Sequence, residues 1–408
     1  MKDIVIVGGG AAGIAAALAA SEANPNAQIL LLEGLDRVGK KILVTGNGKC
    51  NLTNTDLTSA HYHTHAPNRL ARWLEQMPPE MTLDFFRTLG LKCMEDDAGR
   101  VYPYARQAAM VLDVLRSELS RRKAIQVSCN QKVTDITRKE NGFSVLTGTE
   151  TVSARQIILT TGGKSSPKQG SDGSGYPLVK AMGHHCTPLS PALVPMKCRG
   201  NWFSTLKGLR VLCDAALYHG KERVGFEHGE VQFTDYGLSG IPIFQLSCLM
   251  TGEDIIVLDL VPEMTYPQLR EEMLGRQHSR GGEDTETALL GLLPKRLQFV
   301  LLRQAGIDPA KPLGALPRKA LEQLCGLYKQ WRIEVTGTQG FDNAQVTRGG
   351  VVLEEINVDF SSRKVPGLYL AGEILDVTGD CGGYNLHWAW CSGIYAGRAA
   401  AERVRRQK

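Results

Sequence analysis

The sequence predicts a discontinuous α/β fold, in which an N-terminal block and a C-terminal block form one domain around a β-rich, partly helical insertion. Three observations carry that prediction. IVIVGGGAAG at 4–13 opens the chain with an apolar strand, a glycine turn and the start of an Ala-rich helix. GLYLAGE at 367–373 is a second apolar strand ending in Gly-Glu, and paired glycines then precede a long final helix. Between these blocks, from about Pro188, the texture changes to strands with polar alternation and then to helices.

The elements follow in order. Residues 3–7 form the first strand, and Gly8, Gly10 and Gly13 follow with G-x-G-x-x-G spacing. Gly8 makes the tight turn, Gly10 lets backbone approach a pyrophosphate, and Gly13 lets helix pack on strand. The helix N-terminus offers free N–H groups to phosphates. QILLLE ends in Glu33, twenty residues past Gly13, placed to take the ribose hydroxyls of an adenosine. Together these residues predict a Rossmann-type dinucleotide-binding domain. The connection 35–54, LDRVGKKILVTGNGKCNLTN, lacks periodicity and reads as a segment that binds rather than packs. Helices are expected over 66–90 and 105–123. Three or four strands follow up to TTGG at 160–163, with turns at Asn141-Gly142 and Gly148. A Gly/Ser loop at 165–176 precedes a short helix to Met182. Strands are expected near 192–198, 209–219, 223–234 and 254–260, two or three helices over 265–330, and strands again near 333. The expected domain boundaries are 1–187 with 338–408 for the dinucleotide domain, 188–262 with 328–337 for the β insertion, and 263–327 for a helical subdomain.

Composition narrows the function classes. The 408 residues carry 47 Lys plus Arg against 42 Asp plus Glu, and the basic end RVRRQK has no interleaved aromatics. A nucleic-acid partner is therefore not expected. No apolar run is long enough to span a membrane, and the first strand starts after Met-Lys-Asp, so no signal peptide, no membrane and a cytoplasmic location are expected. The ten cysteines show no C-x-x-C spacing, which argues against zinc and against a redox dithiol. His61, His63 and His65 alternate, but HYHTHAPN reads as a polar surface loop rather than a metal site.

Which dinucleotide binds is suggested at the other end of the chain. LAGE followed by LDVTGDCGGYNLHWAW resembles the arrangement in flavoproteins of the glutathione-reductase superfamily. That resemblance implies FAD, with Gly372 and Glu373 at the ribityl-phosphate end and Gly382, Gly383, Asn385 and Leu386 at the isoalloxazine end. VGKKILVTGNGKCNLTN, TTGGKSS, FTDYGLSGIP and VTRGGVVLEEINVDFSSRKVPGLYLAGE, in order along the whole chain, resemble the BaiN-like (YhiN-type) bacterial FAD-dependent oxidoreductases. The resemblance implies an FAD domain, an antiparallel β-barrel-like domain and a small helical domain. It also implies FAD contacts at Ala12 (with Ala11 beside it), Glu33, Gly34, Lys40, Lys41, Thr45, Gly46, Asn47, Gly48, Cys50, Asn51, Val133, Thr161 and Gly162. Val133 would reach adenine through its backbone, Lys41 a phosphate or flavin N1, and Cys50 is expected to pack rather than react.

Two positions depart from the family pattern: Asp235 stands where His is frequent, and His387 where Gln is frequent. Tyr384, His387 and Asp235 are the catalytic candidates, with a structural His387 packing on Trp388 and Trp390 as the alternative. GSDGSG at 170–175 lacks a preceding strand, so NADH or NADPH would dock transiently as electron donor. The favoured reading is an FAD-dependent reductase of an activated double bond in a small molecule, such as a steroid-like enone. A flavin oxidase of a small amine such as aminoacetone is second, and an RNA-modifying flavoprotein third. Oligomeric state is left open.

Overall fold

The computed structural model describes residues 1–148 and 150–407, so Lys408 at the end of the expected dinucleotide domain lies outside the described residues. Contacts divide the chain into two compact units, Met1–Ala192 with Gly340–Lys408, and Leu193–Gln339.

The first unit is an α/β sandwich. Five parallel strands lie in the spatial order Ile125–Ser128, Ile29–Leu32, Lys2–Val7, Thr151–Leu159, Leu368–Leu370. Ile6 pairs with Leu31 on one side and Ile158 on the other. The central strands are apolar on both faces because helices and loops cover both, and Ile4, Val5 and Ile6 have no solvent exposure. Strand 151–159 pairs in both senses within one seven-stranded sheet: its first half pairs antiparallel with Gly142–Thr147, which pairs in turn with Val133–Lys139.

Helix Ala11–Ala23 starts four residues after the first strand and is buried nearly all round. Its outer neighbour is the C-terminal helix, Tyr384–Gln407. A Cβ on Gly393 would lie 2.3 Å from the Ala12 carbonyl oxygen, and one on Gly397 2.3 Å from that of Ala16. The two helices therefore run parallel with their backbones in contact. Tyr384 stands nine residues before Gly393, so the C-terminal helix projects about 13 Å beyond the start of the first helix. The glycine spacing thus fixes where two helix N-termini stand relative to each other.

The expected helical stretch 66–90 is two helices, Pro67–Leu74 and Pro79–Thr88, broken at Met77-Pro78. The TGNGKCN segment is compact rather than extended: single turns over Lys40–Gly48, with Gly46, Asn47 and Cys50 in the left-handed region. Asn and Gly tolerate that conformation, and Cys50 is held there by burial.

The second unit contains a closed six-stranded antiparallel barrel, ordered Met196–Cys198, Gly237–Ser239, Glu222–Phe233, Arg210–His219, Asp254–Asp259, Trp331–Thr338. Four α-helices and one 3-10 turn follow strand 254–259, where the sequence suggests two or three helices, and they share one apolar core with the barrel. The added segment, Thr285–Ala288, is short and capped by Asp284. Among the described residues, no helix is long and apolar enough to cross a membrane, and no group of three or more His, Cys, Asp or Glu side chains is arranged to hold a metal ion.

Candidate cofactor and active site

The glycines of the first turn divide into two kinds. A Cβ on Gly13 would lie 1.9 Å from the Gly8 carbonyl oxygen, and one on Gly8 (φ +104°) 2.5 Å from that of Thr160. Both positions are closed by protein. Gly10 is the reverse, because a Cβ there would meet nothing within 4 Å. Gly10 heads the helix without any side-chain cap, and the first helical bond is Ile14 N to Gly10 O at 3.0 Å. The N–H groups of Ala11, Ala12 and Gly13 therefore have no partner inside the helix, and the backbone beside Gly10 is open.

Glu33 lies next to this turn. Its carboxylate accepts from Gly9 N and Leu35 N, each at 2.8 Å. Burial pushes its pKa up, while the backbone N–H groups of Leu35, Gly9 and Gly34 pull the other way. Gln131 N donates to Glu33 O at 2.8 Å, which brings Val133, at the start of its strand, to the same corner as Gly34. Thr161 and Gly162 follow strand 151–159; the Thr161 hydroxyl is buried without a partner, and Gly162 faces Ser171. Lys41 Nζ lies 2.8 Å from Glu373 Oε2 and 3.5 Å from Ser171 Oγ, while Glu373 Oε1 accepts from Thr347 N at 2.9 Å. Lys41 and Glu373 are thus partners of one another. Lys40 is paired with Asp36 instead.

At the far end, Gly372 is clamped to the C-terminal helix: Ser392 Oγ accepts from its N–H at 2.9 Å, and Trp388 Nε1 donates to its carbonyl at 3.1 Å. Gly383 sits against the 51–53 segment, where a Cβ would lie 2.6 Å from Thr53 O and 2.7 Å from Asn51 Oδ1. Asn51 is buried, and among the described residues its Oδ1 has no hydrogen-bond partner. An orphaned acceptor beside a helix N-terminus, an open cradle at Gly10 and a pinned carboxylate at Glu33 fit a dinucleotide whose two ends lie at the two helix starts.

Several expected contacts have other work. Asn385 Oδ1 accepts from Gly379 N at 2.8 Å and its Nδ2 donates to Gly379 O at 2.7 Å, so its side chain closes the loop before the helix rather than facing a ring. The Cys50 thiol is wholly buried, and burial pushes it up to about 12, so it packs as the sequence suggests. His387 needs correcting as a catalytic candidate. It has no exposure; Nδ1 lies 2.8 Å from Thr53 Oγ1 and 3.0 Å from Thr82 Oγ1, and Nε2 lies 2.9 Å from Met77 O. Burial pulls its pKa down to about 4, leaving a neutral ring that ties three segments together and reaches no substrate. Tyr384 is buried, and desolvation pushes its phenol up to about 12. Asp235, in the second unit, is exposed and pairs with Lys207 at 2.6 Å, which holds its carboxyl below the ordinary value.

Sequence reasoning missed a histidine–aspartate network. His61 and His63 belong to an ordered edge, because Tyr62–His63 pairs with Thr378–Gly379. Asp380 then lies 3.3 Å from His61 Nδ1 and 2.9 Å from His63 Nε2, and Asp56 lies 3.2 Å from His61 Nε2. His65 Nδ1 lies 2.8 Å from Asp376. The alternation of the three histidines was the available signal; Asp380 and Asp376, which they share, stand more than three hundred residues away.

Residues 2–399 match the HI0933-like protein Rossmann domain family. A curated relative, the 3-dehydro-bile acid delta(4,6)-reductase of Clostridium scindens, is 41% identical across 99% of this chain and 100% of its own. The ribosomal RNA dihydrouridine synthase of Escherichia coli is 29% identical, with 96% of each chain covered. Among solved structures, E. coli quinol fumarate reductase FrdA superposes with a TM-score of 0.52 at 18% identity, covering 100% of this chain and 71% of that one, a likeness of fold.

Proposed function

The chain belongs to the HI0933-like family, and we propose that it is an FAD-dependent reductase whose acceptor is a carbon–carbon double bond conjugated to a carbonyl group. The observation that carries this reading is the pair of parallel helices locked through Gly393 and Gly397, which sets one helix N-terminus at Gly10, open beside its backbone, and another at Gly383, against Thr53 and Asn51, displaced by about 13 Å along the helix axis. That spacing supports a dinucleotide with its pyrophosphate at the first and its redox ring at the second. FAD, when bound, supplies hydride transfer at N5.

The chain's residues supply the rest. Glu33 takes the ribose, and the N–H groups of Ala11 and Ala12 take the pyrophosphate. Lys41 and Glu373 neutralise each other at the ribityl end, so they add no net charge there. The helix start at Gly383 to Leu386 offers N–H groups and a positive dipole end where negative charge develops on reduction. Asn51 Oδ1, an acceptor only, suits a ring N–H.

The acceptor class rests on what the two curated relatives have in common. A delta-4,6 3-oxo steroid and a uracil ring both contain a double bond conjugated to a carbonyl. The higher identity, over nearly the full chain, favours a small steroid-like enone. The names of the more distant relatives support uridine in RNA as the second reading. NADH or NADPH, docking transiently, is the donor this reading requires.

Purified protein mixed anaerobically with NADH and then NADPH should lose its flavin absorbance. Adding a 3-oxo-4-ene steroid should then restore it. Restoration only by a uridine-containing ribosomal RNA fragment would move the reading to RNA. No bleaching by either nucleotide, with turnover of aminoacetone by oxygen, would replace a reductase by an oxidase.

A further inference from the structure

Saturating a conjugated double bond adds a hydride at the β-carbon and a proton at the α-carbon, so the enzyme needs an acid. The three candidates visible in the sequence are poorly suited to the task. His387 is a neutral ring with both nitrogens engaged inside the core. Tyr384 is held up near 12 by burial, and Asp235 is engaged by Lys207. We propose that the acid is His63, carried by Asp380, with His61 fixing Asp380 from the opposite side.

The geometry is that of an aspartate–histidine dyad. Asp380 Oδ1 lies 2.9 Å from His63 Nε2, so His63 presents Nε2–H to the carboxylate and leaves Nδ1 as the atom that gains and loses a proton. Among the described residues nothing bonds that Nδ1, and the side chain is 24% exposed, open to recharging from water. Asp380 is itself held on three sides. Its N–H donates to His61 O at 2.9 Å, Asn385 Nδ2 donates to its carbonyl at 3.3 Å, and His61 Nδ1 lies 3.3 Å from Oδ2. His61 has carboxylates at both nitrogens, Asp380 and Asp56, and stacks flat on Tyr384, with centroids 4.5 Å apart and planes at 16°. Arg100, Tyr384 and Tyr62 are the further charged and titratable groups that act on this corner. The same loop runs on through Gly382 and Gly383 into the helix start assigned to the redox ring. His65 makes a similar pair with Asp376, but it is 57% exposed and lies beyond the short ladder.

The step balances. FAD, when bound and reduced, would supply the hydride for the β-carbon, and the Nδ1 proton of the His63 imidazolium goes to the α-carbon. His63 is left neutral with Nε2–H on Asp380, and water returns the proton to Nδ1. Asp380 and His61 are positioning residues. This inference rests on the reductase reading.

The test compares H63Q and D380N with the wild type, using two readouts. Long-range proton–nitrogen NMR on histidine-labelled protein should find neutral His63 as the Nε2–H tautomer, mixed in D380N. In stopped flow, pre-reduced H63Q should be reoxidised by a 3-oxo-4-ene steroid about a hundredfold or more slowly, with bleaching by NAD(P)H unchanged. Reoxidation of H63Q at the wild-type rate, or an Nδ1–H tautomer in the wild type, would overturn the proposal. If no enone reoxidises the wild type, the reductase reading fails, while the tautomer still decides the dyad. If H63Q does not fold, D380N supplies both readouts.

Discussion

The two helix starts of the cofactor unit are built from different materials. At Gly10 the helix is headed by backbone alone, with no capping side chain and open space where a side chain would stand. At Gly383 the approach is filled by the Thr53 carbonyl and the Asn51 side chain, the Asn385 side chain ties the preceding loop at Gly379, and that loop carries Asp380 between His61 and His63. A phosphate asks only for N–H groups in a fixed curve, which backbone supplies identically in any sequence with the right glycines. A redox ring and its substrate ask for specific donors and acceptors, which only side chains provide. Backbone geometry makes the first site general, and side-chain chemistry makes the second one particular.

That contrast breaks most visibly at the glycines. Gly13→Ala forces a methyl to within 1.9 Å of the Gly8 oxygen, so a loss of about 1–3 kcal/mol or more and a lowered Tm are expected even without flavin. Gly10→Ala should leave the flavin-free Tm within a degree or two while retaining little FAD after purification. Equal Tm losses in both variants would erase the distinction between a packing glycine and a binding glycine.

His387 sharpens the comparison from the other end, through pH. Its folded pKa of about 4 lies below the ordinary value of 6.5, so the unfolded chain takes the proton first. Stability from the neutral ring is complete above pH 6.5 and is lost as pH falls through about 4. The loss is on the order of 3 kcal/mol. Urea melts between pH 7 and 4 should show this slope in the wild type and a flatter one in His387→Gln. Parallel slopes would mean that other groups carry the acid sensitivity.

Smaller effects are expected from single polar contacts. Glu33→Ala should weaken FAD retention about tenfold or more, because the hydroxyls it takes lose a charged acceptor; purification with full flavin would sink the ribose assignment. Lys41→Met should do least. Lys41 and Glu373 are about a fifth exposed, and their pairing is worth on the order of 1 kcal/mol, so a loss of FAD affinity of a fewfold is expected by titration.

The glycine turn and its acidic neighbour were readable because their parts are neighbours in the chain. Gly8, Gly10, Gly13 and Glu33 lie within one strand–helix–strand unit, and spacing along the chain fixes spacing in space. Cys50 as a packed thiol was readable as well, from the absence of a partner cysteine. Where the Asn385 and His387 side chains go was not readable, because position at a helix start does not fix where a side chain turns. One folds back onto Gly379, and the other turns into the core toward Thr53, Thr82 and Met77. His61 and His63 looked like loop residues because the strand that orders them, Thr378–Gly379, arrives from the other end of the chain.

The sequence by itself determined the α/β class, the glycine turn and the acidic strand end, which rest on local spacing and periodicity, and its motif blocks carried the family resemblance. Only the tertiary structure decided that Gly393 and Gly397 seat one helix on the other, that Lys41 answers Glu373, and that Asp380 joins two histidines just before the C-terminal helix. Those contacts join residues that burial brings together from opposite ends of the chain, and no short stretch of sequence carries both partners.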